Sequence, residues 1–496
     1  MTVLRGWPVA PRSDRTLLIG ELIGELERLV RLGNPDRRRI VSASVLAPPI
    51  DPIDVAWRAL RRGADLAFWC QPLAGACFVG FGAAATVRLA GDGRFERAEA
   101  VRRELAAAAI VGGPAAGRPG VGPRLVGGAA FVPASVRDPT WHGFDDGWLR
   151  LPRLVVAGTG DEAILTSNLV LEPGTDPVAE IGAVEALAEG VLGGVDAVAD
   201  GDIDGPPVGG ALLRVTARIP DRTTWESAVA RAAGAVSRGR LDKIVLARRV
   251  DLAADGPIDV AAVLRRLVAT APASTIFALS RRRPGDERVF LGASPERLVE
   301  VRGRAFQTVA LAGTVGRGSS PEEDEALAAD LLASEKDREE HAVVVDMLRT
   351  TLAPLAEEVI VEPNPRVVRL ATVQHLATRF SGRLRADGGI LGLVGRLHPT
   401  PAVGGWPREA ALAYIEEEEG LDRGWYAGPV GWVDLAGDGE FVVGIRSGVV
   451  SGARASLFAG CGIVADSEPD REWEESELKL AALAGALGRF EGADDR

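Results

Sequence analysis

The sequence predicts an α+β fold. Strand-like segments outnumber helical ones, they follow one another as hairpin-like neighbours, and helices separate groups of strands rather than alternating with single strands. Regular βαβ alternation would predict a parallel sheet, whereas strands grouped in this way predict antiparallel pairing.

In chain order, residues 14–32 and 94–110 have the apolar spacing of amphipathic helices, and 66–70 and 76–81 read as strands. Gly/Pro-rich breaks fall at 112–122 and 199–210. The second divides the chain into an N-terminal part, 1–210, and a C-terminal part, 211–496. Beyond it, a helix over 222–239 leads into a strand at 241–250, and strand pairs follow at 275–300 and 304–313. One long helix starts after Pro321 and runs to about 354. Strands recur at 366–381, 428–436, 440–450 and 455–464, and the last helix covers 470–489. There is no internal repeat.

The 496 residues are 47% hydrophobic and 25% charged, enough for a sizeable core. A net charge of −12 argues against a protein that wraps nucleic acid. It leaves room for an anionic substrate, because a local cluster of cations can bind one on an acidic protein. Three cysteines (Cys70, Cys77, Cys461), with no CxxC pair, argue against a disulfide framework or zinc site. Four histidines without an HExxH pattern argue against a soft metal, while a hard cation held by carboxylates remains open. No signal peptide and no apolar run of about 20 residues is seen, so the expected address is the cytoplasm.

Of the 57 basic residues all but three are arginine; the exceptions are Lys243, Lys336 and Lys479. Arginine replaces a solvated lysine cheaply, but not one that must give up its proton or act as a compact charge. Lys243 opens an apolar strand in LDKIVLARRV, where burying an ammonium is costly; a lysine turned to water at a sheet edge is the commoner case for such a pattern. Glu296 follows a strand in GASPE, where apolar surroundings can keep a carboxyl protonated, although a glutamate capping a turn is as common. In SEKDREEHAVVVD, Glu340 precedes three valines and faces inward, whereas Glu335, Asp337 and Glu339 read as a solvated helix face. Glu475 and Lys479 are four apart and share a helix face, as a surface ion pair or as a metal carboxylate beside a cation. Arg446 interrupts an apparently buried strand in GIRSG, where its planar fork suits a carboxylate. The glycine turn LFAGCGIV around Gly460 lets backbone approach a ligand.

Together and in this order, the motifs resemble those of the chorismate-utilising enzymes. The resemblance covers roughly residues 222–490 through LDKIVLARR, GASPE, LAGT, SEKDREEH, HLAT, HPTPAV, GPVGW, GIRSG, FAGCGIV and EWEES. It is looser in FWCQPLAGACFVGFG, GGAAF and LPR of the N-terminal part. It implies a single large unit of two packed antiparallel sheets with helices outside. It also implies that Lys243 is the general base activating water and Glu296 the general acid protonating the departing hydroxyl. Glu340 and Glu475 would be Mg²⁺ ligands. Arg446, Gly460 and Tyr426 would receive the enolpyruvyl carboxylate, Lys479 the ring carboxylate, and Gly313, Thr314, His375 and Ala402 would line the pocket.

Within the family, ammonia-using relatives carry glutamine at the place of Lys243, and aminodeoxychorismate synthases a lysine at that of Ala312. Anthranilate and salicylate synthases have a different segment in place of PTPAVGGWP. The resemblance therefore implies the isochorismate synthase branch, feeding menaquinone or siderophore synthesis without an amidotransferase partner. A salicylate synthase, or an inactive paralogue that binds chorismate, are the alternatives.

Overall fold

A computed structural model describes residues 12–490, except 62, 119, 135–136, 159–161, 193–209, 284–285, 370–372 and 387. Apart from Gly210, the break expected at 199–210 lies outside the described residues. The strands form a fourteen-stranded and a ten-stranded sheet. Pairing is antiparallel except where Arg39–Ala47 meets Ala109–Gly112 and where Ala211–Ile219 meets Gly488–Phe490. Strands from both sides of residue 210 share each sheet: Leu66–Gln71 pairs with Thr275–Arg283, and Arg124–Ala129 with Pro429–Asp434.

The sheets face each other across one apolar core. Trp69, Phe78, Phe277 and Phe290 enter it from the larger sheet, and Trp148, Phe306, Phe380 and Phe441 from the smaller. On the other face of the larger sheet, Phe68, Cys70 and Leu291 pack with Leu22, Val55, Leu264 and Leu483 from four helices. Neighbouring residues such as Phe290 and Leu291 are thus buried on opposite faces. This is why the central strands read as continuous apolar runs rather than as alternating ones.

Several expectations need correction. The long helix after Pro321 is two, Pro321–Ala333 and Glu335–Leu352. The Ser334 hydroxyl accepts from the Asp337 amide at 3.2 Å and caps the second helix, so the backbone leaves helical geometry at the junction. A strand at Ala356–Val361 was not anticipated. The strand expected at 440–450 is two, Gly439–Val443 in the smaller sheet and Ser447–Ser451 in the larger; the chain crosses between sheets at 444–446. Against the expectation of no disulfide framework, Cys70 and Cys77 form a disulfide: the hairpin sets them opposite each other with Cα atoms 4.1 Å apart. No described helix is long and apolar enough to cross a membrane.

Candidate active site

A cleft of about 350 Å³ opens where the two sheets meet, and ten of the twelve residues expected at the site line it. The larger sheet supplies Lys243, the first residue of strand Lys243–Ala254, and Gly460 on the neighbouring strand Arg454–Ile463. The smaller sheet supplies His375, on strand Val373–Leu384. Glu340 comes from helix Glu335–Leu352, Glu475 and Lys479 from helix Pro469–Leu487, and Glu296, Ala402, Tyr426 and Arg446 from connections. A wider surface hollow of about 770 Å³, beyond the 398–408 segment, contains none of the expected residues.

The remaining two stand differently. Gly313 lies behind the wall: a bulge between Ala312 and Thr314 gives it φ +75°, and its backbone hydrogen-bonds the His375 ring. Thr314 pairs with His375 in register, and its side chain lies outside the described residues, as does that of Lys336.

Each lysine in the cleft holds a carboxylate. Lys243 Nζ meets Glu340 Oε1 at 2.7 Å, and Lys479 Nζ meets Glu475 Oε1 at 2.5 Å while donating to the Gly460 carbonyl at 2.9 Å. Lys243 reaches its partner because the facing strand carries glycine: a Cβ at Gly462 would lie 2.7 Å from Lys243 Cε. Gly460 and Gly462 therefore act as strand positions rather than as the turn expected, with Cys461 between them buried on the other face.

Glu296 lies across the same cavity. Burial pushes its carboxyl up to about 7, against the opposing effects of Thr400, Lys243 and Lys479. Ser294, 1% exposed, fixes this turn by donating to the Val443 carbonyl at 2.6 Å, and the Val443 amide donates to the Glu296 carbonyl at 3.0 Å. Desolvation, helped by nearby Lys479, pulls His375 down to about 4, so its imidazole is neutral near pH 7.

Arg446 adopts φ +50°, a left-handed conformation costly for a side chain of this size and a mark of functional sites. The crossover between sheets holds it there, and the Ala293 amide donates to its carbonyl at 3.1 Å. Burial lowers the affinity of its guanidinium for the proton, with Tyr426 and Glu475 opposing that effect. The guanidinium makes no hydrogen bond or ion pair with the described residues, and it faces the cleft. Tyr426 stacks on Phe458 with ring centroids 5.4 Å apart, and burial pushes its phenol well above the usual range.

Two acidic residues, one lining the cleft and one beside it, were missed. Asp337, assigned to a solvated face, lines the cleft one turn before Glu340. The signal was available, since residues three apart share a helix face. Glu472 has a carboxylate oxygen near those of Glu475 and the Cys461 sulfur, all within 4.8 Å. Burial raises the Cys461 thiol to about 12, so it stays protonated and is a poor ligand. What remains in that cluster is two carboxylates of one helix, while Asp337 and Glu340 line the same cleft from another; carboxylate oxygens are the donor chemistry of a hard divalent cation.

Comparison with known proteins gives the family. The family model described as chorismate binding enzyme matches residues 27–488. The chain is 39% identical over 475 residues to the salicylate biosynthesis isochorismate synthase of Pseudomonas aeruginosa, covering 96% of each. It is 38% identical over 370 residues to the isochorismate synthase MenF of Bacillus subtilis, covering 74% of this chain and 75% of that one. Among solved structures, the menaquinone-specific isochorismate synthase MenF of Escherichia coli superposes with a TM-score of 0.75 at 29% identity, covering 94% of this chain and 100% of the other. With a match that runs nearly end to end, the chain belongs to the chorismate-binding enzyme family.

Proposed function

We propose that this chain is an isochorismate synthase, which isomerises chorismate by adding water at ring C2 and releasing the C4 hydroxyl. One observation carries the reading: a lysine amine and a carboxyl held protonated up to about pH 7 share a cavity with an arginine that has no protein partner among the described residues.

Chorismate is a dianion, and the cleft offers a cation for each of its carboxylates. Arg446 receives one carboxylate in a planar fork, with the Tyr426 hydroxyl and the backbone near Gly460 beside it. Lys479, which donates to the Gly460 carbonyl at 2.9 Å, is the second cation, for the ring carboxylate. Lys243 takes a proton from the attacking water, and Glu296 gives one to the departing hydroxyl; without such help water is a weak nucleophile and hydroxide a poor leaving group. His375, neutral at working pH, adds no further charge.

Glu340 and Glu475 fit Mg²⁺ as oxygen donors, with Asp337 and Glu472 close by. Bound there, the ion would supply positive charge to the ring carboxylate. Each of the two carboxylates holds a lysine through one oxygen, Lys243 on Glu340 and Lys479 on Glu475, so a cation held there would compete with these ammonium groups for the carboxylates. In this reading the chain works in the cytoplasm, needs no amidotransferase, and supplies a menaquinone or siderophore route.

The test is to incubate the purified chain with chorismate and Mg²⁺, without ammonia, and to follow products by chromatography. Isochorismate rising to a plateau with negligible pyruvate is expected. Salicylate with stoichiometric pyruvate, or an aminated product when ammonium is added, would overturn the assignment.

A further inference from the structure

The strand that begins with Lys243 is paired along one edge from Ile244 to Ala253. Its other edge is interrupted. Gly405–Trp406 covers Lys243 and Ile244, Ala211–Ile219 covers Arg249–Ala254, and no described strand lies between them. Backbone groups left unsatisfied in such a buried gap would each cost free energy.

One ion pair fills the gap. The Val245 amide reaches the Gly404 carbonyl at 3.0 Å, which leaves the Val245 carbonyl and the Ala247 amide. Arg423 Nη2 donates to the Val245 carbonyl at 2.6 Å, and Glu419 Oε2 accepts from the Ala247 amide at 2.9 Å. Arg423 Nε donates to Glu419 Oε1 at 2.6 Å, and Nη1 donates to the Val403 carbonyl at 2.8 Å. The guanidinium lies 4.3 Å from the centre of the Phe131 ring, and both charged side chains are only 2% exposed. The pair thus takes the place of a strand and joins three segments that line the cleft: the Lys243 strand, the 398–404 loop carrying Ala402 and Val403, and the 423–427 turn carrying Tyr426. A buried ion pair is weak evidence of stability, since apolar residues of similar volume often serve as well. What apolar residues could not supply is three hydrogen bonds to backbone on two separate segments.

We propose that Glu419 and Arg423 are positioning residues for the reaction assigned above. They hold the base-bearing strand at a fixed distance from the loop and turn that receive the substrate. The proposal rests on that assignment for its kinetic test, while its structural test needs no turnover.

Arg423→Lys keeps the charge opposite Glu419 but loses the planar fork that reaches the Val245 and Val403 carbonyls and both carboxylate oxygens of Glu419. The double variant Glu419→Gln/Arg423→Gln keeps hydrogen-bonding groups without the charges. Each is compared with wild type by melting, by hydrogen exchange at the Ala247 amide, and by kcat and KM at saturating Mg²⁺. For Arg423→Lys we expect a folded protein, faster exchange at Ala247, and kcat lower by on the order of 10²-fold with KM changed by less than about threefold. If that variant does not fold, the double variant is judged by the same readings. Wild-type kcat with faster exchange at Ala247 would overturn the proposal, as would unchanged exchange or a fall in kcat equal to the loss of folded protein. If wild type made no isochorismate, the assigned reaction would fall and the exchange result alone would judge the clamp.

Discussion

Replacing Glu296 with glutamine removes one ionisable group from the cleft and should have opposite effects on stability and turnover. Burial raises the carboxyl from 4.5 to about 7, so the folded protein binds this proton more tightly than the unfolded chain does. The resulting stabilisation is complete below the unfolded value of 4.5 and is lost as pH rises through the folded value of about 7. At 1.36 kcal/mol per unit, the loss between pH 4.5 and 8 amounts to about 3 kcal/mol, an upper bound because the cleft admits water. Glutamine carries no such dependence. Denaturant unfolding of both proteins at pH 5 and pH 8, without metal or substrate, should therefore show the variant gaining on wild type by up to about 3 kcal/mol at the higher pH. The same variant has no proton to give, so its turnover should fall by about 10²–10⁴-fold at every pH. Parallel pH dependence of stability in the two proteins would refute the raised carboxyl. Near-normal turnover would refute its role as the acid.

Lys243→Arg can still reach Glu340 but cannot deprotonate, so it should be as inactive as Lys243→Ala; measurable recovery in the arginine variant would exclude the base role. Gly462→Ala places a methyl 2.7 Å from Lys243 Cε, at the flexible end of a side chain. Its melting temperature should barely change while kcat falls by roughly tenfold or more, and unchanged kcat would show that the seat of the amine is not critical. Glu340→Gln and Glu475→Gln should each weaken Mg²⁺ binding in calorimetric titration, and chelator should abolish wild-type turnover until Mg²⁺ is restored. Full activity in chelator would remove the metal from the mechanism.

Residues legible in the sequence were those whose chemistry conflicts with their surroundings. Lys243 opens an apolar strand in a chain with three lysines, Arg446 interrupts a strand, and Glu296 follows one. Each costs free energy where it sits, and that cost is visible without coordinates. Helix spacing made Glu340, Glu475 and Lys479 legible in the same way. Asp337 was missed because its neighbours Glu335 and Glu339 are exposed and the acidic run was read as one face. The two-sheet fold was legible only through the family resemblance, since strand grouping by itself predicts antiparallel pairing and not how many sheets result. The crossover at 444–446 was read as one strand because both halves are apolar, and only pairing partners reveal that they belong to different sheets.

The residues that remained hidden share a different property. Lys243 and Gly462 lie far apart in the chain and become neighbours only once Val245 pairs with Gly462 and Ile244 with Ile463. Glu419 and Arg423, four apart, have the sequence signature of an exposed helical ion pair worth a few tenths of a kcal/mol. They are buried because the sheet has a gap beside Val245 and Ala247, and no local pattern encodes a gap between two other strands. The groups proposed to perform the chemistry stand out by their own identity and nearest neighbours in sequence, and the family resemblance supplies their roles. Groups that position them are defined by long-range register, so variants at Gly462 and Arg423 test the structure more sharply than variants at Lys243 or Glu296.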